Sequence, residues 1–151
     1  MTAVFKKLNL KDQKKILVIS SPESFEQELD ALEGITICRE ADSVKSVHFS
    51  LAFVTKQDEL NNIARSIAQK TEGDAVVWFA YPKASSRRYK CEIDRDSGWT
   101  VLGVLGFESV RQVAIDEDWT AARFRRVEFI KRLVRDKKWA MTENGKKKAG
   151  K

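Results

Sequence analysis

Apolar and polar positions fall in blocks along this chain, and the longest apolar block, residues 75–83, closes at Pro82 and Lys83. A near-continuous apolar run of that length reads as a strand buried on both faces, the kind found at the centre of a parallel sheet. Residues 14–20 form an earlier, β-branched strand, after which Ser20-Ser21-Pro22-Glu23-Ser24 opens a helix. Ser21 suits the N-cap, Pro22 the first helical position, and Glu23 the first turn, where a carboxylate meets the positive end of the dipole. Phe25, Leu29 and Leu32 make the apolar stripe of this helix and Gly34 its stop. Residues 35–39 are a second strand, completing a right-handed βαβ unit.

Few residues separate Glu40 from the next strand, 50–55. A crossover there must cover about 17 Å of strand length and about 10 Å sideways, while roughly ten extended residues reach about 33 Å. A short turn of helix fits, and a full helix does not. Residues 57–70 predict a helix with Leu60, Ile63, Ala64, Ile67 and Ala68 on one face, ending near Gly73. Beyond the central strand come a basic loop, 84–90, and a helix over 94–105 with Trp99, Leu102 and Leu105 inward and Gly106 as its stop. Residues 109–115 and 119–125 are strands joined by Asp116-Glu117-Asp118, a link short enough to permit only an antiparallel hairpin. A last helix is predicted over 127–139, with Ile130, Leu133 and Val134 along one side, and a disordered end from residue 141.

The chain of 151 residues has the length of one domain, large enough to bury a core without staples. The organisation expected is a single α/β domain over residues 1–136 with a basic tail over 137–151. Cys38 and Cys91 are too isolated for a disulfide framework, and one histidine, His48, leaves no zinc constellation, so no metal site is predicted. A reduced, cytoplasmic setting is the expectation. The N-terminal residues lack an extended apolar region and no run approaches the roughly 18 residues of a membrane span, so no membrane partner is expected.

The net charge of +6 would suggest a polyanion partner if it were spread along the chain. It is not: residues 1–118 hold 16 Lys+Arg against 19 Asp+Glu, and residues 119–151 hold 12 against 3. The basicity belongs to the last strand, the last helix and the tail. The tail over 137–151, with 6 Lys and 1 Glu, suits either a solubilising end or salt-sensitive binding to nucleic acid. In the last strand, Arg123 and Arg125 share one face and Arg126 takes the other, as an exposed edge or an interface would require, including one with a second copy of the chain.

Two candidate sites emerge from the predicted topology, because open α/β sheets bind ligands at the carboxyl ends of their strands. The exit of the central strand offers Tyr81 and, in the loop 83–88, Lys83, Ser85, Ser86, Arg87 and Arg88, whose two serine hydroxyls and three cations could cradle an anion if they converge. Nearer the point where strand order reverses lie Ser20, Ser21, Thr55 and Lys56. No serine-hydrolase elbow, metalloprotease motif, P-loop or paired catalytic carboxylate occurs, and His48 stands alone, so no catalytic residue is assigned. Trp99 and Trp119 read as filling between the last parallel strand and the hairpin. Asp116 and Asp118 read as turn-shaping residues.

A mostly parallel α/β sheet that finishes in an antiparallel hairpin resembles the architecture of class I S-adenosylmethionine methyltransferases. The segments Trp78-Phe79-Ala80-Tyr81-Pro82-Lys83, Asp94-Arg95-Asp96-Ser97-Gly98-Trp99 and Gln112-Val113-Ala114-Ile115-Asp116-Glu117-Asp118-Trp119 resemble more closely a bacterial family of short Rossmann-like domains, itself uncharacterised. The likeness spans residues 8–126 and is strongest in the second half. It implies a three-layer Rossmann-like fold with a mostly parallel sheet of about six strands, methyltransferase-like with a deleted crossover. Methyltransferases of that class carry a glycine-rich loop after the first strand, where the backbone must approach the cofactor closely. Here the matching stretch is Ser20-Ser21-Pro22-Glu23-Ser24, without glycine, with one amide donor removed by Pro22 and a negative charge added by Glu23. The resemblance makes Glu40, just past the second strand, the counterpart of a ribose-binding acid, so that Ser20, Ser21, Glu40, Thr55 and Lys56 form the candidate cofactor set.

From residues and resemblance together, the first reading is a non-catalytic Rossmann-like domain that binds a small anionic ligand or a protein partner at the carboxyl edge of the sheet. No cofactor is predicted for it. A second reading is an S-adenosylmethionine-dependent methyltransferase with an atypical cofactor loop. A third is a nucleic-acid accessory protein acting through the basic C-terminal region.

Overall fold

The structure is a computed structural model that describes residues 2–94 and 97–130. Its strands are β1 (Lys15–Ile19), β2 (Thr36–Cys38), β3 (Val47–Phe53), β4 (Thr71–Pro82), β5 (Phe107–Ala114) and β6 (Trp119–Arg126), and they form one sheet in the order β2-β1-β3-β4-β6-β5. β2, β1, β3 and β4 run parallel, while β6 lies antiparallel to both β4 and β5. Between β2 and β3 stands only a 3-10 turn, Ala41–Ser43, so the crossover expected from chain length to be missing is missing.

Helices cover both faces. α1 (Ala3–Lys7) and α2 (Glu23–Asp30) set Phe5, Phe25 and Leu29 against Phe49, Leu51 and Trp78. On the other face α3 (Gln57–Ala68) and α4 (Thr100–Val104) set Leu60, Ala64, Ile67 and Leu102 against Val77, Phe79 and Phe124. The three-layer α/β architecture read from the sequence is therefore the fold observed. Among the described residues no helix is long and apolar enough to cross a membrane.

β4 explains this arrangement. Every residue from Ala75 to Pro82 is buried, with Val76, Trp78 and Ala80 on the α1/α2 side and Val77, Phe79 and Tyr81 on the α3/α4 side. Its ladders run to β3 on one edge and to β6 on the other, from Val77 opposite Phe124 to Pro82 opposite Trp119. Proline has no N–H to donate, so it suits the end of a strand and not the middle.

The elements differ from expectation where local pattern gave way to tertiary contacts. β4 begins at Thr71, four residues before the apolar run, and bulges between its pairings Thr71 with Val47 and Val76 with Phe49. Gly73 turns inside that bulge with φ +58, a conformation side chains resist. α3 accordingly closes at Ala68. β3 starts at Val47 because Val47 and Phe49 are buried on either side of an exposed His48. Of the helix expected over 94–105, α4 is the part seen among the described residues: Asp94 accepts the Trp99 indole N–H on its carbonyl at 2.8 Å and the Ser97 N–H on its side chain at 2.8 Å, bonds that compete with helix at Ser97 and Trp99. Ser21 is not the N-cap of α2; Pro22 holds that position, and the Ser21 hydroxyl bonds elsewhere. Val127–Phe129 form a 3-10 turn, and the remainder of the helix expected over 127–139, with the basic tail, lies outside the described residues.

α1 was not legible as an element, yet it closes the core. Phe5 and Leu8 are fully buried, and the Trp78 indole N–H donates to the Leu8 carbonyl at 2.8 Å. Replacing Trp78 by Phe removes the donor and leaves both a cavity and a buried unpaired carbonyl. The expected result is a loss of about 1–3 kcal/mol of unfolding free energy in a urea titration, with faster amide exchange in α1.

Candidate functional site

A cleft of about 300 Å³ opens at the carboxyl ends of β1 and β3, where strand order reverses. The β1 exit supplies Ser20, and the first residues around α2 supply Pro22 and Glu23. Phe53 and Thr55 come from the end of β3, Glu59 from the first turn of α3, Tyr89 from the loop after β4, and Trp119 from the start of β6. Trp119 meets Phe53 edge-on at 5.1 Å between ring centroids and Tyr89 at 4.9 Å, so three aromatic rings make one continuous wall. The Trp119 side chain is buried and its indole N–H has no hydrogen-bond partner among the described residues. Buried donors are normally satisfied, so this one is held without an acceptor at a cost.

The turn after β1 has an uncommon backbone. Ser20 sits at φ +57, in the left-handed region that glycine favours and that costs other residues about 1–2 kcal/mol. The bend that a glycine-rich loop would supply is thus present without glycine. Ser21, one residue on, donates its hydroxyl to Glu26 at 2.6 Å and accepts from Arg39 at 3.0 Å. Arg39 also grips both Glu26 oxygens, at 2.9 and 3.0 Å, tying the end of β2 to α2. The Arg39 guanidinium, and after it the Ser21 hydroxyl, hold the Glu26 carboxyl below its usual range.

The N-terminus of α3 is occupied by the protein's own carboxylates. Glu59 accepts the N–H groups of Thr55 at 3.0 Å and Lys56 at 3.1 Å, together with the Thr55 hydroxyl at 3.2 Å. Glu92, from the loop after β4, accepts the Gln57 N–H at 3.0 Å, and its own N–H donates to the Thr55 carbonyl at 3.0 Å. The Thr55 amide, with help from the other donors, lowers the Glu59 pKa. Gly98 lets the same loop close on α3: at φ +97, an added Cβ would lie 2.9 Å from the Gln57 side chain and 3.0 Å from Ile93. An incoming anion would therefore find the positive end of this helix already neutralised.

Of the sequence-derived residues, the structure brings Ser20 and Thr55 into this cleft, and leaves Ser21, Glu40 and Lys56 outside its lining. Glu40 is exposed at the start of the 3-10 turn, where its carbonyl accepts Ser43. The second set does not converge. Tyr81 is buried on the α3/α4 face, edge-on to Trp99 at 5.4 Å between ring centroids and accepting from Gln112 at 2.8 Å. Lys83 N–H donates to the Asp118 carbonyl, and the Ser86 hydroxyl to the Asp118 carboxylate at 2.9 Å. Ser85, Arg87 and Arg88 are exposed. Asp116 shapes the hairpin as expected, accepting the N–H groups of Asp118 and Trp119 at 2.8 Å each. Trp99 and Trp119 prove to lie on opposite faces of the sheet, and only Trp119 reaches the cleft. Its place in the lining, with those of Phe53, Glu59 and Tyr89, has no signal in the sequence, because the first three sit at strand or helix ends and Tyr89 in a loop, where periodicity cannot separate burial from exposure.

Glu59 gives this geometry a pH signature. Its carboxyl titrates lower in the folded protein than the unfolded value near 4.3. The folded state thus gains stability above the unfolded pKa, and the gain is lost as pH falls through the folded one. Glu59→Gln should flatten the acid limb of the stability–pH curve between about pH 5 and pH 3, and Glu59→Ala should cost about 1 kcal/mol at pH 7, both read by denaturant titration. At Ser20, Val should cost about 1–2 kcal/mol and Gly should cost nothing or stabilise slightly, because only the branched residue cannot tolerate φ +57.

No protein-family model matches the chain, and no curated protein matches it at a significant level. Solved structures do. A SAM-dependent methyltransferase from Aquifex aeolicus is 13% identical with a TM-score of 0.56, over 82% of this chain and 87% of that one. The mitomycin 7-O-methyltransferase MmcR is 12% identical with a TM-score of 0.58, the match covering 82% of this chain and 52% of MmcR. The N-methyltransferase NodS from Bradyrhizobium japonicum WM9 is 14% identical with a TM-score of 0.52, over 80% and 91%. At these identities what is shared is the fold: the chain has a methyltransferase-like Rossmann architecture.

Proposed function

We propose that the chain is a non-catalytic ligand-binding domain on a methyltransferase-like frame, with its ligand in the cleft between β1, β3 and β6. The observation that carries this reading is the pair of carboxylates, Glu59 and Glu92, bonded to the amides at the start of α3. They take the hydrogen bonds that a cofactor's oxygens would seek there, and they add negative charge beside Glu23. An anion, the ligand suggested by the composition of the 84–90 loop, is disfavoured at such a lining. An aromatic or apolar body with a cationic head fits it: the body against Phe53, Tyr89 and Trp119, the head toward Glu23 and the ring faces. The cleft's size, at the low end of the about 300–1,000 Å³ typical of small-molecule sites, suits a ligand of modest bulk.

A second reading, an S-adenosylmethionine-dependent methyltransferase, is supported by the fold and by the left-handed turn at Ser20. Against it stands the Arg39–Glu26–Ser21 clamp, which ties α2 to the end of β2 beside Glu40, the acid that the cofactor's ribose would need.

The two separate in thermal denaturation with added ligand, where occupancy at 100 times the dissociation constant adds about 2.7 kcal/mol. Tyramine, an aromatic monoamine, should stabilise the protein and do so less in Tyr89→Ala. S-adenosylmethionine and its demethylated product should give no shift at millimolar concentration. A shift with either of the latter selects the methyltransferase. Stronger stabilisation by an aromatic carboxylate than by tyramine would overturn the charge assignment.

A further inference from the structure

We infer that Arg111 and Arg123, facing each other across the β5–β6 hairpin, form a clamp for the phosphoryl group of a small phosphorylated ligand, at a site separate from the cleft. The two are register partners, so their side chains leave the same face of the sheet with Cβ atoms about 5 Å apart. That face carries α1 and α2, and the same row runs on to Trp78 in β4, opposite Arg123. Arg123 lies four residues beyond Trp119 along β6, about 13 Å from the carboxyl edge where the cleft opens.

Like charges placed directly opposite one another destabilise a sheet. Among the described residues no carboxylate bonds to either guanidinium. Arg123 makes no hydrogen bond and no ion pair there, and its Nε is fully buried without an acceptor. Arg111 is exposed and equally without an acceptor among the described residues. Arg125, two residues on from Arg123 and on the same face, shows what a satisfied neighbour looks like: Asp74, presented by the β4 bulge, takes its Nε at 2.7 Å and its terminal nitrogen at 2.5 Å. Glu108, the register partner of Arg125, is buried beside that pair. Both carboxylates therefore sit in the Arg125 row, one step away from the Arg111–Arg123 pair. Burial, and then repulsion from Arg125 and more weakly from Arg111, lower the Arg123 pKa, outweighing the attraction of Asp74.

A buried donor left without a protein acceptor among the described residues calls for a water, an ion or a ligand. Two adjacent guanidinium groups present planar forks of N–H donors, the arrangement that recognises phosphate oxygens in pairs, and an edge-strand lysine or a solvated arginine would need no such burial. The ligand class is accordingly a phosphate or pyrophosphate dianion carried on a small molecule. The observations favour this over a polynucleotide backbone because the orphaned Arg123 Nε and the one arginine facing it are local, and do not extend as a track.

The test uses the full chain and sodium pyrophosphate, with inorganic phosphate alongside, against sodium chloride of matched ionic strength. Calorimetric titration should show saturable one-to-one binding, at least tenfold weaker in Arg111→Gln and in Arg123→Gln, and less impaired in Arg123→Lys. Arg111 is exposed, so its replacement separates loss of binding from loss of folding. Without pyrophosphate, Arg111→Gln should melt slightly higher than the parent at low salt, since repulsion is relieved; with saturating pyrophosphate the order should reverse. Absence of saturable binding in the parent, or binding undiminished in both glutamine variants, would overturn the clamp. So would a single-stranded oligonucleotide that binds where pyrophosphate does not.

Discussion

The double ladder of β4 is the constraint on which the rest of the structure depends. A strand paired on both edges and buried on both faces has one possible place, the middle of the sheet, and it forces its neighbours to take complementary directions. β3 runs parallel on one edge, β6 antiparallel on the other, and the chain can reach β6 only by the loop after β4, then α4 and β5. That loop must cross the carboxyl edge of the sheet. In crossing it delivers Tyr89 to the cleft and Glu92 to the start of α3, so the same ladder that stabilises the core also builds the site wall.

The cleft is consequently an altered version of the place where such sheets bind ligands. Its frame, the strand order, is that of a methyltransferase-like fold, and the turn at Ser20 is left-handed. Its chemistry is inverted: donors at the helix N-terminus are spent on Glu59 and Glu92, and the Arg39–Glu26–Ser21 bonds bind β2 to α2. What remains open is an aromatic wall, whose Trp119 indole has no acceptor among the described residues, and a carboxylate rim. The basic hairpin face is a different environment, with the charge of opposite sign, and the two are separated by the length of half a strand.

The sequence was most legible where burial leaves a long periodic trace. The apolar run of β4, the stripe of α3 and the shortness of the link at Asp116 were enough to reach the layer order and the hairpin. Chain length alone ruled out a full helix between β2 and β3. Short elements were not legible: α1 is five residues and owes its helix to the sockets for Phe5 and Leu8, which exist only once the sheet has formed. The absence of helix at residues 97–99 has a similar cause, since Asp94 bonds to Ser97 and Trp99 offer the backbone a local alternative. At the cleft, the switch-point rule reaches Ser20 and Thr55, which line it, but not the aromatic wall, because Phe53, Tyr89 and Trp119 come from three separate parts of the chain. In the loop 83–88 composition does not report geometry: its three cations and two serine hydroxyls are not gathered at one point, Ser86 bonding to Asp118, while Tyr81 before it accepts from Gln112.

The most direct measurement is the indole region of a nitrogen–proton correlation spectrum during titration with tyramine. The Trp78 and Trp99 indoles already donate to the Leu8 and Asp94 carbonyls, while Trp119 has no acceptor among the described residues. If the switch-point cleft is the ligand site, the Trp119 resonance moves saturably and the other two hold still. A Trp119 resonance that stays fixed while the protein binds the amine, or that moves only when S-adenosylmethionine is added, would contradict a small-ligand site in the aromatic cleft.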